Sequence, residues 1–367
     1  MEYVSDYVFS KIMDDGEFNL PIEWDGDDFL STISNLFDKY LKKINAYCTE
    51  ETTHFISFEC DKIKKCIEVY LNGLPSKSYE YLNEIMIELI KFPLNIFIKA
   101  IPYTFRSTST FPPIEFYRVV KVQKEKDCDI KRLFHVPYNL RSKISTSRYS
   151  IAGYPCLYLG TSLDLCCEEL NVKPLKSEAF VSKLTFKHIV PNTIKVIDLA
   201  IKPQDFLNFG KSFGMVDYKK RRFVRLGHLT PDEIFVHYLL WYPLLAACSY
   251  IRNDRTANFS AEYIVSQVLM QWLSNYNKQF KNELFGLRYF SCASKSASEK
   301  GFNYVFPTSG KSISSDLRFC PILSQCFELT KPRDLRKYRS LEELEQDLDN
   351  DKELFSIYDY LPLYIDE

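Results

Sequence analysis

What this 367-residue sequence lacks narrows its chemistry before anything else does. It lacks net charge: 47 Lys and Arg stand against 48 Asp and Glu, a formal charge of -1, so no global field favours nucleic acid or an anionic membrane surface. It lacks any C-x-x-C. Its 11 cysteines are odd in number and irregularly spaced, the nearest groupings being Cys166 with Cys167, Cys60 with Cys66 and Cys320 with Cys326. That usage argues against a secreted disulfide framework and a zinc site, and points to a reducing cytoplasm and no metal. A glycine-rich dinucleotide fingerprint, a P-loop and H-E-x-x-H are all missing, which removes support from Rossmann oxidoreductases, NTPases and common metal-dependent hydrolases. Histidine is scarce, with five residues. His54 falls in a helical region and His237 in an apolar helix, and both read as structural. The start, M-E-Y-V-S-D-Y, is acidic and without the basic and apolar parts of a signal peptide. The most apolar run, Ile234 to Leu245, contains His237 and Pro243 and falls short of the roughly 18 to 20 residues needed to cross a bilayer. A protein with no membrane segment is expected.

What is there is aromatic. With 25 Tyr, 28 Phe and 46% apolar residues, the chain has material for a large core, and its length suits two domains. Asp27 and Asp28 precede Phe29, Leu30, Ile33, Leu36, Phe37, Tyr40, Leu41 and Ile44, a stripe that predicts an amphipathic helix. Ile63, Cys66, Ile67 and Tyr70 predict a second, stopped near Gly73 and Pro75. Leu82, Ile85, Met86, Leu89 and Ile90 predict a third, starting near Ser78 and ending before Pro93. Residues 1–105 therefore read as a small all-α module, with a linker at 106–113. From Ile114 the pattern changes to short branched and aromatic runs, read as strands at Phe116 to Val122, Cys156 to Leu159, Phe180 to Leu184, Thr193 to Ile197, from Leu284, and Phe302 to Phe306. Thr230, Pro231 and Glu233 open a helix running to about Ala247, and another begins near Ser260. Residues 114–330 form the predicted catalytic domain, and 331–367 a charged surface helix or tail.

The chemistry is placed between Ser145 and Leu170. An exposed, hydroxyl-rich loop around Arg148 leads through Gly153 and Pro155 into the strand at Cys156, and a helix follows at once. Thr161 with Asp164 gives the helix its capping pattern. Leu163, Cys166, Cys167 and Leu170 form its buried face, which leaves Glu169 at the margin of that face and Glu168 toward water. An Arg, a Tyr and a Glu thus converge at one end of a strand-to-helix unit, where ligands commonly sit; a surface salt bridge is the alternative reading.

The run Arg148, Tyr149, Ser150, Gly153, Pro155, Leu157 and Tyr158, with Glu169 eleven positions after Tyr158, resembles the signature of the RES domain family. Phe116 to Val119 and Leu133 to Pro137 resemble that domain's opening strand and a loop of its longer members. Tyr263 to Gln267 and Gly286 to Ser291 resemble its closing helix and last named residue. The likeness covers about Pro112 to Pro307. It departs at Tyr149 and Ser150, where compact members often show Trp and Asn. The resemblance implies an α+β, ADP-ribosyltransferase-like fold and an enzyme that cleaves the nicotinamide-ribose bond of NAD, as in bacterial toxin-antitoxin or phage-defence effectors. NAD would be the substrate, with no resident cofactor. Glu169, Arg148, Ser291 and Tyr158 are the implied catalytic residues; Arg118, Tyr149, Ser150 and His135 the substrate-binding ones. Expected partners are NAD, phosphate, an antitoxin or regulatory protein, and a second copy in a homodimer; nucleic acid and membrane are not expected. Protein ADP-ribosylation is the alternative use of the same site. Two further readings are a metal-independent ribonuclease built on Arg222 and His228 beside the basic cluster of Lys219, Lys220, Arg221 and Arg225, and a nucleotide-binding module without catalysis.

Overall fold

A computed structural model describes residues 4–14, 16–26, 28–91, 98–101, 115–122, 128–187, 194–204, 231–254, 256–279, 284–308 and 318–357. Its helices are α1 (Asp6–Met13), α2 (Phe29–Tyr47), α3 (Glu50–Leu71), α4 (Pro75–Leu89), α5 (Leu163–Glu169), α6 (Pro231–Ala247), α7 (Ile264–Gln279), α8 (Pro321–Cys326) and α9 (Leu341–Asn350). Its strands are β1 (Ile98–Ile101), β2 (Phe116–Lys121), β3 (Cys156–Gly160), β4 (Ala179–Phe186), β5 (Ile194–Leu199), β6 (Leu284–Phe290), β7 (Phe302–Pro307), β8 (Phe327–Thr330), β9 (Arg333–Asp334) and β10 (Leu354–Ser356). The architecture is the expected mixture of α and β, with helices gathered at the N-terminus. Two compact units divide it, one of residues 1–98 and 198–275, the other of 99–197 and 276–367.

The predicted stripe from Phe29 forms α2, while α1 is not among the expected helices and α4 starts at Pro75 rather than near Ser78. Asp28 caps α2, its carboxylate accepting the N–H of Ser31 at 3.0 Å, and Pro75 occupies the first turn of α4, where a missing N–H costs nothing. The unit is not confined to residues 1–105, however, since 198–275 folds into it where the sequence placed those residues in the 114–330 domain. The reason is visible in its aromatic packing. Phe9 meets the ring of Tyr238 at 5.4 Å, and Phe18 lies 5.4 Å from Tyr40 and 5.7 Å from Tyr242. The Tyr40 hydroxyl donates to the Leu239 carbonyl at 2.8 Å. A helix apolar all round, such as α6, has to be enclosed by others, and α1 to α3 enclose it. Within α3, Glu59 is 1% exposed with neither carboxyl oxygen hydrogen-bonded, and burial raises its pKa well above the usual carboxylate value, because it disfavours the charged form.

In the second unit the sheet runs β1-β5-β6-β7-β3-β2-β4-β8-β10, with β9 pairing β4 off that path. The pairs β2–β3, β2–β4, β3–β7, β6–β7, β4–β8, β4–β9 and β8–β10 are antiparallel. Alternation along the strands gives the sheet two faces. One carries Phe116, Leu157, Leu159, Tyr304 and Phe306, covered by Leu133, Phe134, Tyr138 and Leu323. The other carries Tyr117, Val119 and Val181, covered by α5 through Leu163, Cys166 and Cys167 and by α9 through Leu344 and Leu348. Residues 331–357 are therefore part of the sheet unit rather than a surface tail: β9 and β10 extend it, and Arg333 ties the segment to α9 through Asp347 at 2.6 Å.

Candidate active site

The α5 face of strands β3, β7 and β6 holds the candidate site. Register aligns Gly160 of β3, Asn303 of β7 and Tyr289 of β6 in one row, and Tyr158 with Val305 and Leu287 in the next. Gly160 permits α5 to close down on this row. A Cβ there would stand 2.6 Å from the Cys166 Sγ and 3.6 Å from the Asn303 Oδ1. The helix starts one residue later than the sequence reading put it: Ser162 is the cap, accepting the Leu165 N–H at 3.2 Å, while Thr161 Oγ1 accepts the N–H of Phe302 at 2.9 Å. Leu170 ends the helix 37% exposed, and Leu165 takes its place in the core.

Glu169 stands at the C-terminal end of α5, exposed, and its Oε1 accepts from Asn303 Nδ2 at 2.6 Å. Glu168, expected to face water, is instead half-buried: Lys300 Nζ lies 2.7 Å from one oxygen and Ser294 Oγ donates to the other at 3.0 Å. The order of exposure of the two glutamates is thus the reverse of the expected one. Helical arithmetic counts only the helix's own apolar face, whereas the 291–301 loop covers the Glu168 side from outside and the helix end leaves Glu169 open.

The loop around Arg148 is likewise not exposed. Ser147 and Ser150 exchange two backbone hydrogen bonds, of 2.8 and 3.1 Å, in a tight turn, and Arg148, Tyr149 and Ser150 are all buried. Tyr149 packs on Tyr289 at 4.6 Å between rings, and Ser150 Oγ lies 3.0 Å from the Tyr158 hydroxyl. Tyr289 joins the set. Its pKa is raised well above the ordinary value, first by burial and then by Glu169, Tyr158 and Tyr149, with Arg148 acting in the opposite direction, so each of these four groups lies within electrostatic reach of Tyr289.

The other sequence-derived residues are placed differently. Ser291 is fully buried, its hydroxyl oxygen accepting the Ala293 N–H at 3.1 Å in the turn that leaves β6. Arg118 leaves β2 on the face opposite the Tyr158 side chain. Its Nη1 donates to the Tyr158 carbonyl at 2.7 Å and its Nε is enclosed without a hydrogen-bond partner. Here β2 and β3 pair only through Tyr117 and Gly160, so the guanidinium fills the place of a ladder bond; burial lowers its pKa to about 10. His135 lies away from this set, on the other face of the sheet. It is fully buried, its Nδ1 bonded to the Val136 carbonyl at 2.8 Å and its Nε2 accepting the Cys320 N–H at 2.9 Å, among Phe134, Tyr138 and Phe319 on the far face. Arg222, His228, the basic cluster and the 106–113 linker lie outside the described residues, as does Gly210 to Gly214, a G-x-S-x-G match by letter. Asn303 and Tyr289 were missed in the sequence. The signal for Asn303 was one amide inside the apolar strand Phe302 to Phe306, a poor strand former with no other reason to be there. Among the described residues, no cluster of three metal-ligating side chains occurs and no helix is long and apolar enough to cross a membrane.

No protein-family model matches the chain, and no solved structure matches it. Over 342 residues, 89% of this chain and 70% of the relative, it is 25% identical to a Bacillus subtilis (strain 168) protein named "Putative toxin YopC".

Proposed function

We propose that the chain consumes NAD by breaking its nicotinamide-ribose bond, and that it acts as a toxin or defence effector. The observation that carries the reading is the Glu169 carboxylate, open to solvent yet held by Asn303 beside the Tyr289, Tyr158, Tyr149 and Arg148 group. In the reaction the bond's electron pair leaves with the nicotinamide nitrogen, which becomes neutral, and positive charge develops on the ribose. A carboxylate beside that charge stabilises it and orients the incoming nucleophile. Water adds to the ribosyl carbon and gives up a proton, so NAD and water become ADP-ribose, nicotinamide and H⁺. Phosphate in place of water gives the phosphorylated ADP-ribose.

Arg148 is the group for the pyrophosphate, since a planar guanidinium meets two oxygens at once. Tyr158 offers its ring and hydroxyl to the nicotinamide or adenine, and Tyr149, buried against Tyr289, backs the site from within. Ser291 contributes through the turn it closes, and Arg118 by holding the Tyr158 carbonyl. The likeness to a protein named a putative toxin supports the effector side of the reading, and with it an antitoxin partner; a homodimer belongs to the same proposal. Mass spectrometry of NAD incubated with the full chain, with and without phosphate, tests it. Free nicotinamide is the expected product, and its companion (ADP-ribose, its phosphate or a modified protein) identifies the acceptor. Folded protein that leaves NAD intact overturns the reading.

A further inference from the structure

We infer that Asn303 is the positioning residue of this site, fixing the Glu169 carboxylate over the sheet in the orientation that the NAD-cleaving reading requires; the inference rests on that reading. Asn303 is 6% exposed and sits in β7, paired on one side with Gly160 and on the other with Tyr289. Its backbone cannot move without disturbing both neighbours. Its Nδ2 donates to Glu169 Oε1 at 2.6 Å, a hydrogen bond to an ionised acceptor and so among the stronger kind. Its Oδ1 lies on the side that Gly160 leaves without a Cβ, so the amide has room to lie flat and aim its donor at the end of α5.

That end needs holding. α5 has only seven residues, Glu169 is its last, and Leu170 beyond it is exposed. The backbone there is closed, with Asn171 at a φ of 48° and the Val172 N–H bonded to the Cys167 carbonyl at 2.8 Å, but an exposed glutamate side chain still samples many rotamers, whereas a carboxylate stabilising a developing charge must be set within a fraction of an ångström of its place. The rigid strand supplies through one amide what the short helix does not. The neighbouring Glu168 is held by the 291–301 loop instead, so the two carboxylates are fastened by different elements, and only one of them by the sheet.

Three measurements decide it. By NMR of the full chain, one Nδ2 proton of Asn303 should resonate downfield of its partner and return to the ordinary position in Glu169→Ala; an unchanged pair overturns the inference whether or not the protein cleaves NAD. In turnover, Asn303→Ala should lower kcat about 10- to 100-fold with KM within about threefold, at an unchanged thermal midpoint. Asn303→Asp keeps the size but turns the donor into an acceptor. With both carboxyls ionised the contact is repulsive, and a shared proton restores it, so activity lost at pH 8 should recover at least tenfold at pH 5.5 relative to wild type. Full activity of Asn303→Asp at pH 8, or a loss confined to KM, overturns the positioning role. A wild-type protein inert toward NAD removes the functional reading while the NMR result still stands for or against Asn303.

Discussion

His135 donates through Nδ1 and accepts through Nε2, an arrangement open only to the neutral ring, and burial lowers its pKa from 6.5 to about 4. The sign follows from linkage. Above pH 6.5 the ring is neutral folded and unfolded, and its contribution is complete. Between pH 6.5 and about 4 the unfolded chain takes the proton and the folded one does not, so stability falls as pH falls, by roughly 3 kcal/mol over the window. His135→Gln should lower stability at pH 7, because the Cys320 N–H loses its ring acceptor, and should flatten the difference between pH 7 and pH 4.5 in denaturant titrations. An identical pH slope in variant and wild type would place the effect elsewhere. The glutamates make a second residue-scale prediction. Glu168 forms a partly exposed ion pair with Lys300, of a kind worth about 0–1 kcal/mol, so Glu168→Gln should cost less than about tenfold in kcat/KM. On the proposed NAD-cleaving reading, Glu169→Gln removes the charge that stabilises the developing ribosyl cation and should cost about 10²- to 10⁴-fold.

At the scale of elements, Gly160 is where strand and helix constrain each other. A Cβ 2.6 Å from the Cys166 Sγ has to be relieved by lifting α5, which also moves Glu169 away from Asn303. Gly160→Ala should therefore destabilise the protein by about 1–3 kcal/mol and reduce turnover more than its stability loss explains; a variant of wild-type melting temperature and activity would contradict this packing account. The elements themselves were largely legible. The stripe from Phe29 to Ile44, Pro231 at a helix start and the runs at Phe116, Cys156, Leu284 and Phe302 all became the elements their periodicity predicts. What escaped were features that periodicity does not carry. The exposure of Glu168 and Glu169 depends on a loop more than a hundred residues away, and the burial of Arg148 depends on a two-residue turn packed on Tyr289. The place of His135 depends on the Cys320 N–H it accepts.

For the whole molecule, the division of the chain changes what a truncation does. The sequence pattern makes residues 1–105 look separable, yet Phe9, Phe18 and Tyr40 pack on Tyr238 and Tyr242 of α6, and the helical unit contains 198–275 as well as 1–98. Deleting residues 1–98 strips the cover from an almost wholly apolar helix, and the fragment 99–367 should aggregate on expression; a soluble, monomeric fragment with full secondary structure would show the two parts to be independent. The central claim concerns the chemistry of one carboxylate, and the most direct measurement of it is NAD loss and nicotinamide release by equal amounts of full-length wild type, Glu169→Gln and Glu168→Gln, each verified as folded by its thermal midpoint. The account predicts stoichiometric nicotinamide from wild type, nearly as much from Glu168→Gln, and at least a hundredfold less from Glu169→Gln. Equal rates from the two glutamate variants, or intact NAD with all three proteins, would contradict it.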